Sequence, residues 1–245
     1  MPVRFENYSH SFSLNRKPVF SPSKLGRRIG HDIKERVEDA FLFEEFYYHL
    51  RKGGHIAAIH SHRSNRYYCK LDIENFFYSV ARNRVVRGLR EINVARASHY
   101  GKWSCVKNPF LDPSYALPYG FVQSPILATL VLAKSALGSA LTRLSAQANI
   151  AVYVDDITLS SNNLSSLDAC YRELLAVFDE ANFTPNIRKC VAPCESLAVF
   201  NCSLQHEETL VESARVTEFH RFPRSSASID GFERYCASVR RGNTE

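Results

Sequence analysis

Apolar side chains recur at helical spacing in four segments of the chain. The clearest lies near the N-terminus, where Leu25, Ile29, Ile33 and Val37 repeat every four residues, a spacing that aligns side chains on one helix face. The pair Gly53-Gly54 follows and favours the end of that segment. The helices predicted on this basis are 24–50, 82–92, 125–146 and 167–182.

Shorter segments alternate apolar and polar residues and are rich in β-branched and aromatic side chains, which favours strands. They are 67–73, the two arms 150–153 and 157–160 of a hairpin, and a strand pair within 191–211. Residues 1–23 and 93–119 show little periodicity and are predicted to be irregular. The order strand, helix, helix, hairpin, helix, strand predicts an α+β fold: an antiparallel sheet with helices on one face.

Composition narrows the class of protein. Of 245 residues, 45% are hydrophobic and 23% charged, a balance typical of a globular domain. The net charge of +6 suits a polyanionic partner, although many proteins without such a partner share it. No apolar run reaches membrane-spanning length and the start lacks a secretory pattern, so we expect a cytoplasmic protein with no membrane partner. The seven scattered cysteines favour reduced thiols over a zinc site at Cys190 and Cys194.

Three carboxylates carry the candidate chemistry. Asp155 and Asp156 lie between the two apolar arms of the predicted hairpin, and Asp72 ends the strand at 67–73. An Asp-Asp turn and a strand-ending Asp are each common without any function. If the three meet at one sheet edge, however, their oxygens suit two Mg²⁺ ions that clamp the attacking and leaving oxygens of a phosphoryl transfer.

Four motifs in order resemble those of the reverse transcriptases, especially the bacterial retron and antiphage-defence type. The resemblance covers roughly residues 60–240. The motifs are Lys70-Leu71-Asp72-Ile73-Glu74-Asn75-Phe76-Phe77, Leu117-Pro118-Tyr119-Gly120-Phe121-Val122-Gln123-Ser124-Pro125, Tyr153-Val154-Asp155-Asp156 and Phe183-Thr184-Pro185-Asn186-Ile187-Arg188-Lys189-Cys190.

The resemblance implies a role for each matched residue. The catalytic residues are Asp72, Asp155, Asp156 and Lys189, the lysine stabilising the leaving pyrophosphate or donating a proton to it. Two Mg²⁺ ions, replaceable by Mn²⁺, bind the three aspartates and the Ile73 carbonyl. Phe77 is the steric gate that excludes a 2′-hydroxyl. The nucleotide-binding residues are Phe77, Tyr119, Gly120, Gln123 and Lys189, and the nucleic-acid-binding residues are Arg63, Arg66 and Asn201, with Arg16-Lys17 an alternative for triphosphate contacts.

The implied architecture is a polymerase palm plus fingers with a truncated thumb. Residues 1–66 form the fingers or N-terminal region, 67–215 the palm with part of the fingers at 93–119, and 216–245 a segment leading toward a rudimentary thumb. We expect a partner protein or homo-oligomer to replace the thumb. Two departures from the family pattern stand out: Tyr119 replaces the usual glutamine, and Gln123 replaces a smaller residue.

The function implied is RNA-directed DNA polymerisation from dNTPs on RNA and DNA strands, in antiphage defence with a non-coding RNA or protein partner. Two alternatives stay open. The same site would serve template-independent or protein-primed synthesis, which Tyr119 and the short C-terminal segment favour. A palm-fold scaffold that binds nucleic acid without turnover is the other, although keeping three buried acids without a metal is costly.

Overall fold

The structure, a computed structural model, describes residues 7–243 and confirms the α+β class. These residues form two compact units, each built from separate stretches of chain. The first unit takes the described part of Met1–Glu44 with Ile73–Ser139 and Asp179–Thr184; the second takes Glu45–Asp72, Ala140–Phe178 and the described part of Pro185–Glu245. The functional segments 1–66, 67–215 and 216–245 stay a prediction.

Helices and strands alternate along the chain. The helices are α1 (Lys24–Ala40), α2 (Gly54–His62), α3 (Phe76–Ser79), α4 (Arg82–Glu91), α5 (Ala97–Ser104), α6 (Ser124–Ala133), α7 (Ala136–Leu144), α8 (Leu164–Ala176), α9 (Ser213–His220) and α10 (Ser226–Arg240), with a 3-10 turn at Tyr48–Leu50. The strands are β1 (Tyr8–Leu14), β2 (Lys17–Pro22), β3 (Tyr67–Asp72), β4 (Val106–Lys107), β5 (Tyr115–Ala116), β6 (Asn149–Tyr153), β7 (Asp156–Ser161), β8 (Val191–Cys194), β9 (Leu197–Val199), β10 (Cys202–Gln205) and β11 (Glu208–Val211).

The second unit is organised by a four-stranded antiparallel sheet in the order β6-β7-β3-β8. Successive side chains of β3 point to opposite faces, as in any strand. Cys69 is fully buried on the face near Cys170 of α8. Tyr68 is buried on the other face, in a cluster with Ile59 and residues of β9 and β10. Both faces of the sheet are therefore covered, which fixes the register of β3.

The first unit has a smaller apolar cluster made by Phe20, Tyr78, Val106, Ala116 and Phe121. Helix α6 lies almost wholly in the core, since its residues from Ile126 to Leu132 are all buried. The hairpin β1–β2 and the short pair β4–β5 complete this unit. Residues 7–23 and 93–119 are therefore more regular than predicted, because their backbone pairing is set by partners rather than by an apolar period; residues 1–6 of the predicted irregular segment 1–23 lie outside the described residues.

Two predicted helices are interrupted in the structure. The helix predicted at 24–50 ends at Ala40, and the one predicted at 125–146 is divided into α6 and α7. Ser135 explains the second break: its Oγ donates to the Leu132 carbonyl at 2.7 Å and accepts from the Gly138 N–H at 3.3 Å. A side chain that bonds backbone groups in this way competes with helical hydrogen bonds.

No single helix within residues 7–243 is long and apolar enough to cross a membrane. Only α6 and α7 taken together reach the required length and composition, and a bend of 75° separates them.

A buried histidine joins α2 to the sheet of the second unit. His62 is 1% exposed, and its Nδ1 is hydrogen-bonded to the Ser160 hydroxyl at 2.7 Å. The Asn65 amide donates to the same Ser160 oxygen at 2.8 Å. Burial lowers the pKa of His62 to about 3. The imidazole is therefore neutral in the folded protein at neutral pH.

The sequence motif around Gly120 depends on a backbone geometry that only glycine adopts easily. Gly120 has φ of +99°, and a Cβ there would lie 2.3 Å from the Phe20 carbonyl oxygen of β2. We expect Gly120→Ala to lower the free energy of unfolding by about 2–4 kcal/mol, since both the conformation and the contact are unfavourable. Urea unfolding followed by circular dichroism measures the change.

Gly231 is the matched control, because a Cβ at this position of α10 meets no atom within 4 Å. Gly231→Ala should raise the free energy of unfolding by about 0.5–1 kcal/mol through helix propensity. Equal effects of the two substitutions would contradict the role given to Gly120.

The lowered pKa of His62 makes stability depend on pH in a defined direction. Between pH 6.5 and about 3 the unfolded chain binds a proton at His62 that the folded chain does not. Stability from this group is therefore complete above pH 6.5 and is lost as pH falls, by up to about 1.4 kcal/mol per pH unit. Urea unfolding at pH 7 and pH 5 tests this.

The variant His62→Asn keeps an acceptor for Ser160 but removes the titrating ring. Its free energy of unfolding should decline less between pH 7 and pH 5 than that of the wild type. An unchanged decline would assign the pH dependence to other groups.

Candidate active site

A tight turn at the end of the β6–β7 hairpin carries two of the predicted acids. Tyr153 pairs with Asp156 as the last register position, so that Val154 and Asp155 alone form the turn. Val154 has φ of +61°, an unusual conformation for a β-branched residue. The turn therefore presents two successive carboxylates where the hairpin meets solvent.

The third acid lies on the neighbouring strand. Asp72 ends β3 and is the direct cross-strand partner of Asp156. Its side chain is only 2% exposed. Side chains directly opposite each other in an antiparallel pair are about 5 Å apart at Cβ. The structure thus brings Asp72 together with Asp155 and Asp156 at one edge of the second unit, although Asp72 precedes that pair by more than 80 residues in the chain.

Two lysines offset this concentration of negative charge. Lys189 Nζ donates to Asp72 Oδ2 at 3.0 Å, and Lys70 Nζ lies 2.5 Å from Asp156 Oδ1. Burial lowers the pKa of Lys189, but the hydrogen bond to Asp72 and the charges of all three aspartates outweigh it, so its pKa is raised overall. Lys189 is therefore a cation at neutral pH beside the acids.

The donor set has the chemistry of a magnesium site, since carboxylate oxygens are the ligands that this ion prefers. Within residues 7–243, however, no group of three or more His, Cys, Asp or Glu side chains is placed so that it could hold a metal ion. Lys70 and Lys189 instead contact Asp156 and Asp72 directly. The residue types fit divalent ions, and the lysines supply the positive charge that such a cluster needs.

Four of the five predicted nucleotide-binding residues lie in the first unit: Phe77, Tyr119, Gly120 and Gln123. The buried Ile73, which follows Asp72, lies there too, whereas Lys189 lies in the second unit. Phe77 packs edge-to-face on the Tyr119 ring, with centroids 4.8 Å apart. Lys17 donates to the Tyr119 hydroxyl at 3.2 Å and lies over the same ring. Lys17, Phe77 and Tyr119 thus form one aromatic and basic group, with Gly120 next to it in the chain.

Gln123 does not belong to that group. It is 1% exposed, and its amide nitrogen lies 3.5 Å from the Trp103 carbonyl and from Ser104 Oγ. Its carbonyl end faces Gly30 of α1, where a Cβ would lie only 2.3 Å away. The side chain fills the interior of the first unit, so a direct nucleotide contact by Gln123, as the motif implied, would require it to leave the core.

An aromatic cavity of about 550 Å³ opens beside the hairpin in the second unit. Tyr153, Phe200 and the exposed Asn201 line one side of it, and Phe219 and Phe232 of α9 and α10 line the other. The last two rings are stacked with centroids 4.0 Å apart. The predicted contact residue Asn201 therefore lies in one cavity with Tyr153, two residues before Asp155.

The two predicted basic contacts near the start of β3 differ in their surroundings. Arg63 donates to the carbonyls of Arg241 and Val239 and to the Thr209 hydroxyl, so its guanidinium ties α2 to the end of α10. Arg66 is exposed and lies beside Glu195. Arg66 is thus the more accessible of the two for nucleic acid, and Arg63 is engaged inside the unit.

Two residues that the sequence analysis did not single out are part of the site. Lys70 stands two positions before Asp72 on β3, so the period of the strand places both on one face, and this signal was present in the sequence. His49 accepts from the Val154 N–H at 3.1 Å. That contact joins residues 105 apart, and no local sequence pattern predicts it.

Comparison with known proteins places these features in a family. The model of the family "Reverse transcriptase (RNA-dependent DNA polymerase)" matches residues 15–215. No curated protein sequence gives a significant match.

Three solved structures show the same fold at low sequence identity. Two are foamy viral protease-reverse transcriptases in complex with double-stranded DNA. One of them is 15% identical with a TM-score of 0.53, over 90% of this chain and 33% of its own. The other is 16% identical with a TM-score of 0.53, over 91% and 41%. The third is telomerase from Candida albicans in complex with a fragment of telomeric RNA, 11% identical with a TM-score of 0.50, over 78% and 37%.

This chain therefore spans between a third and two fifths of the length of those proteins. The likeness confirms the predicted palm-and-fingers architecture. With more than four fifths of its residues inside the matched region, the chain belongs to the reverse transcriptase (RNA-dependent DNA polymerase) family.

Proposed function

We propose that this protein is an RNA-directed DNA polymerase that transfers nucleotidyl groups from dNTPs. The observation that carries the proposal is the pairing of Asp72 with Asp156 at the end of two adjacent strands, with Asp155 next in the turn. Like charges are unfavourable directly across an antiparallel pair. Acids that are held close together in this way are typical of functional sites, where they bind cations or stabilise charge that develops in a reaction.

Asp72, Asp155, Asp156 and the Ile73 carbonyl are the groups that would hold two Mg²⁺ ions, with Mn²⁺ as a substitute. When bound, such ions activate a 3′-hydroxyl and stabilise charge on the transferred phosphate. The chain's own residues orient those oxygens: the β3–β7 register fixes Asp72 against Asp156. Lys189 places a positive charge beside them, which suits stabilisation of the departing pyrophosphate.

The group of Lys17, Phe77 and Tyr119 supports binding of the incoming nucleotide. Phe77 is 6% exposed and is braced by the Tyr119 ring, so it presents a rigid aromatic edge. A braced ring below the sugar would exclude a 2′-hydroxyl and favour dNTPs over NTPs. Lys17 is a candidate for the triphosphate, since its ammonium is exposed and held by Tyr119.

The aromatic cavity beside the hairpin supports contact with a nucleic-acid strand. Aromatic rings stack on bases without regard to sequence, and here Tyr153, Phe200 and Phe232 surround the opening. Arg215 adds a cation and Asn201 a hydrogen-bonding amide to the same lining. Arg66 and the net charge of +6 favour the polyanionic backbone.

The proposal extends to a cytoplasmic protein of the retron-like, antiphage-defence type, with a non-coding RNA or protein partner. The motif resemblance supports the subtype. All seven cysteines lie in the described part of the chain as free thiols, which suits a reducing compartment. Sequencing the nucleic acid that co-purifies from the native host tests the partner, and its absence would remove this part of the proposal.

Replacing the acids should abolish synthesis. We expect Asp155→Asn and Asp72→Asn each to reduce dNTP incorporation with Mg²⁺ by on the order of 10²–10³-fold or more, since each removes charge where the transition state needs it. Primer extension on an RNA template measures the rate.

Asp168→Asn is the matched control, because Asp168 lies on α8 in the same unit and pairs only locally with Arg172. It should retain wild-type incorporation. Full activity of Asp155→Asn would contradict the proposal.

Omitting the template separates the two alternatives. Products made without a template, or primed by protein, would favour the second mode of synthesis, which Tyr119 suggests. Asp-dependent metal binding without any product would favour a scaffold.

Trimming the gate should alter sugar selectivity. Phe77→Val is expected to raise incorporation of NTPs relative to dNTPs by about tenfold or more, because it opens space beside the sugar at a cost in contact energy of roughly 1–3 kcal/mol. Single-nucleotide extension with matched dNTP and NTP measures the ratio.

Tyr119→Phe keeps the ring against Phe77 and removes only the hydroxyl that Lys17 contacts. It should leave the sugar ratio unchanged while raising KM for dNTP a few-fold. A changed sugar ratio in Tyr119→Phe with no change in Phe77→Val would show that Phe77 is not the gate.

A further inference from the structure

The turn that carries Asp155 has a hydrogen-bond partner outside the sheet. His49 Nδ1 lies 3.1 Å from the Val154 backbone nitrogen. A backbone N–H is always a donor, so Nδ1 must be the unprotonated nitrogen of the ring and Nε2 carries the hydrogen. The Val152 carbonyl, 3.4 Å from the same Nδ1, is then a near neighbour rather than an acceptor.

Strand β6 lies at the edge of the sheet, so the N–H groups on its outer side need partners from elsewhere. The segment from Phe46 to His49 supplies two of them. The Phe46 carbonyl accepts from Val152 N–H at 2.7 Å, and the His49 ring accepts from Val154 N–H. The segment thus follows β6 up to the turn itself.

The second of these bonds acts on a strained residue. Val154 has φ of +61°, and a β-branched side chain in this region raises the backbone energy. A conformation of this kind persists only when its surroundings hold it. Here the surroundings are the hairpin register and the bond to His49.

The ring of His49 is itself held in place. It packs edge-to-face on Tyr47 and on Tyr153, with centroid distances of 6.3 Å and 5.9 Å. Burial lowers the pKa of His49 to about 4, so the ring is neutral at neutral pH and keeps its acceptor lone pair.

We propose that His49 is a positioning residue for the catalytic turn: its Nδ1 holds Val154 in the left-handed conformation that aims Asp155 and Asp156. This inference rests on the proposed polymerase function. His49 touches neither acid and acts only through the backbone of Val154.

The test compares three changes by primer extension and by dNTP and primer-template binding. His49→Phe keeps an aromatic ring but has no acceptor, and should lower kcat about 10–100-fold, the usual effect of losing a group that orients a ligand, with KM within about threefold of wild type. His49→Asn places Oδ1 at the position of Nδ1 and should stay within about threefold of wild-type kcat. Val154→Gly in the His49→Phe background should restore part of the rate, since glycine adopts positive φ without help.

Either of two kinetic results would overturn the inference: His49→Phe with wild-type kcat, or His49→Asn as impaired as His49→Phe. If His49→Phe does not fold, the inference is tested on the His49 ring of the wild-type protein. Nitrogen-15 NMR should then show the Nε2–H tautomer of His49, and slow hydrogen exchange at the Val154 amide. An Nδ1–H tautomer would refute the proposal.

These spectra also separate the two levels of the argument. A wild-type protein that incorporates no nucleotide would refute the proposed function. In that case the tautomer of His49, and faster exchange of Val154 N–H in His49→Phe than in wild type or His49→Asn, still show whether the ring holds the turn.

Discussion

The repulsion between Asp72 and Asp156 is the constraint around which the second unit is arranged. Like charges directly opposite each other in an antiparallel pair destabilise it. The strand register places them there regardless, since Asp72 is directly opposite Asp156. The fold accommodates this pair because Lys189 and Lys70 each contact one member.

That arrangement explains why the surrounding sheet is so fully buried. Cys69 and Leu71 are inaccessible on the face toward α8, and Tyr68 is inaccessible on the other. A register slip of one residue would exchange these faces and turn Asp72 toward α8. Packing on both sides of β3 therefore holds the acids in place against their mutual repulsion, while the lysines lower its cost.

The two units hold different kinds of candidate groups. The second unit holds the acids, the two lysines and the aromatic cavity. The first unit holds Phe77, braced by Tyr119, and Lys17. A family whose members copy nucleic acids needs both a charged centre and selection of the nucleotide, and the described residues provide candidates for each.

The sequence alone determined the elements that show a clear local periodicity: β3 and the β6–β7 hairpin follow from alternation, and α4 follows from helical spacing. The three aspartates follow from the motifs. Only the tertiary structure decided that Gln123 lies in the core, that Arg63 bonds to the end of α10, that 1–23 contains a hairpin and that His49 meets Val154. The physical reason is that these contacts join residues far apart in the chain. Period and motif record which face of a single element is apolar, whereas the partner of a buried amide, a guanidinium or a strained turn is chosen by segments up to 178 residues away, and no local pattern encodes that choice.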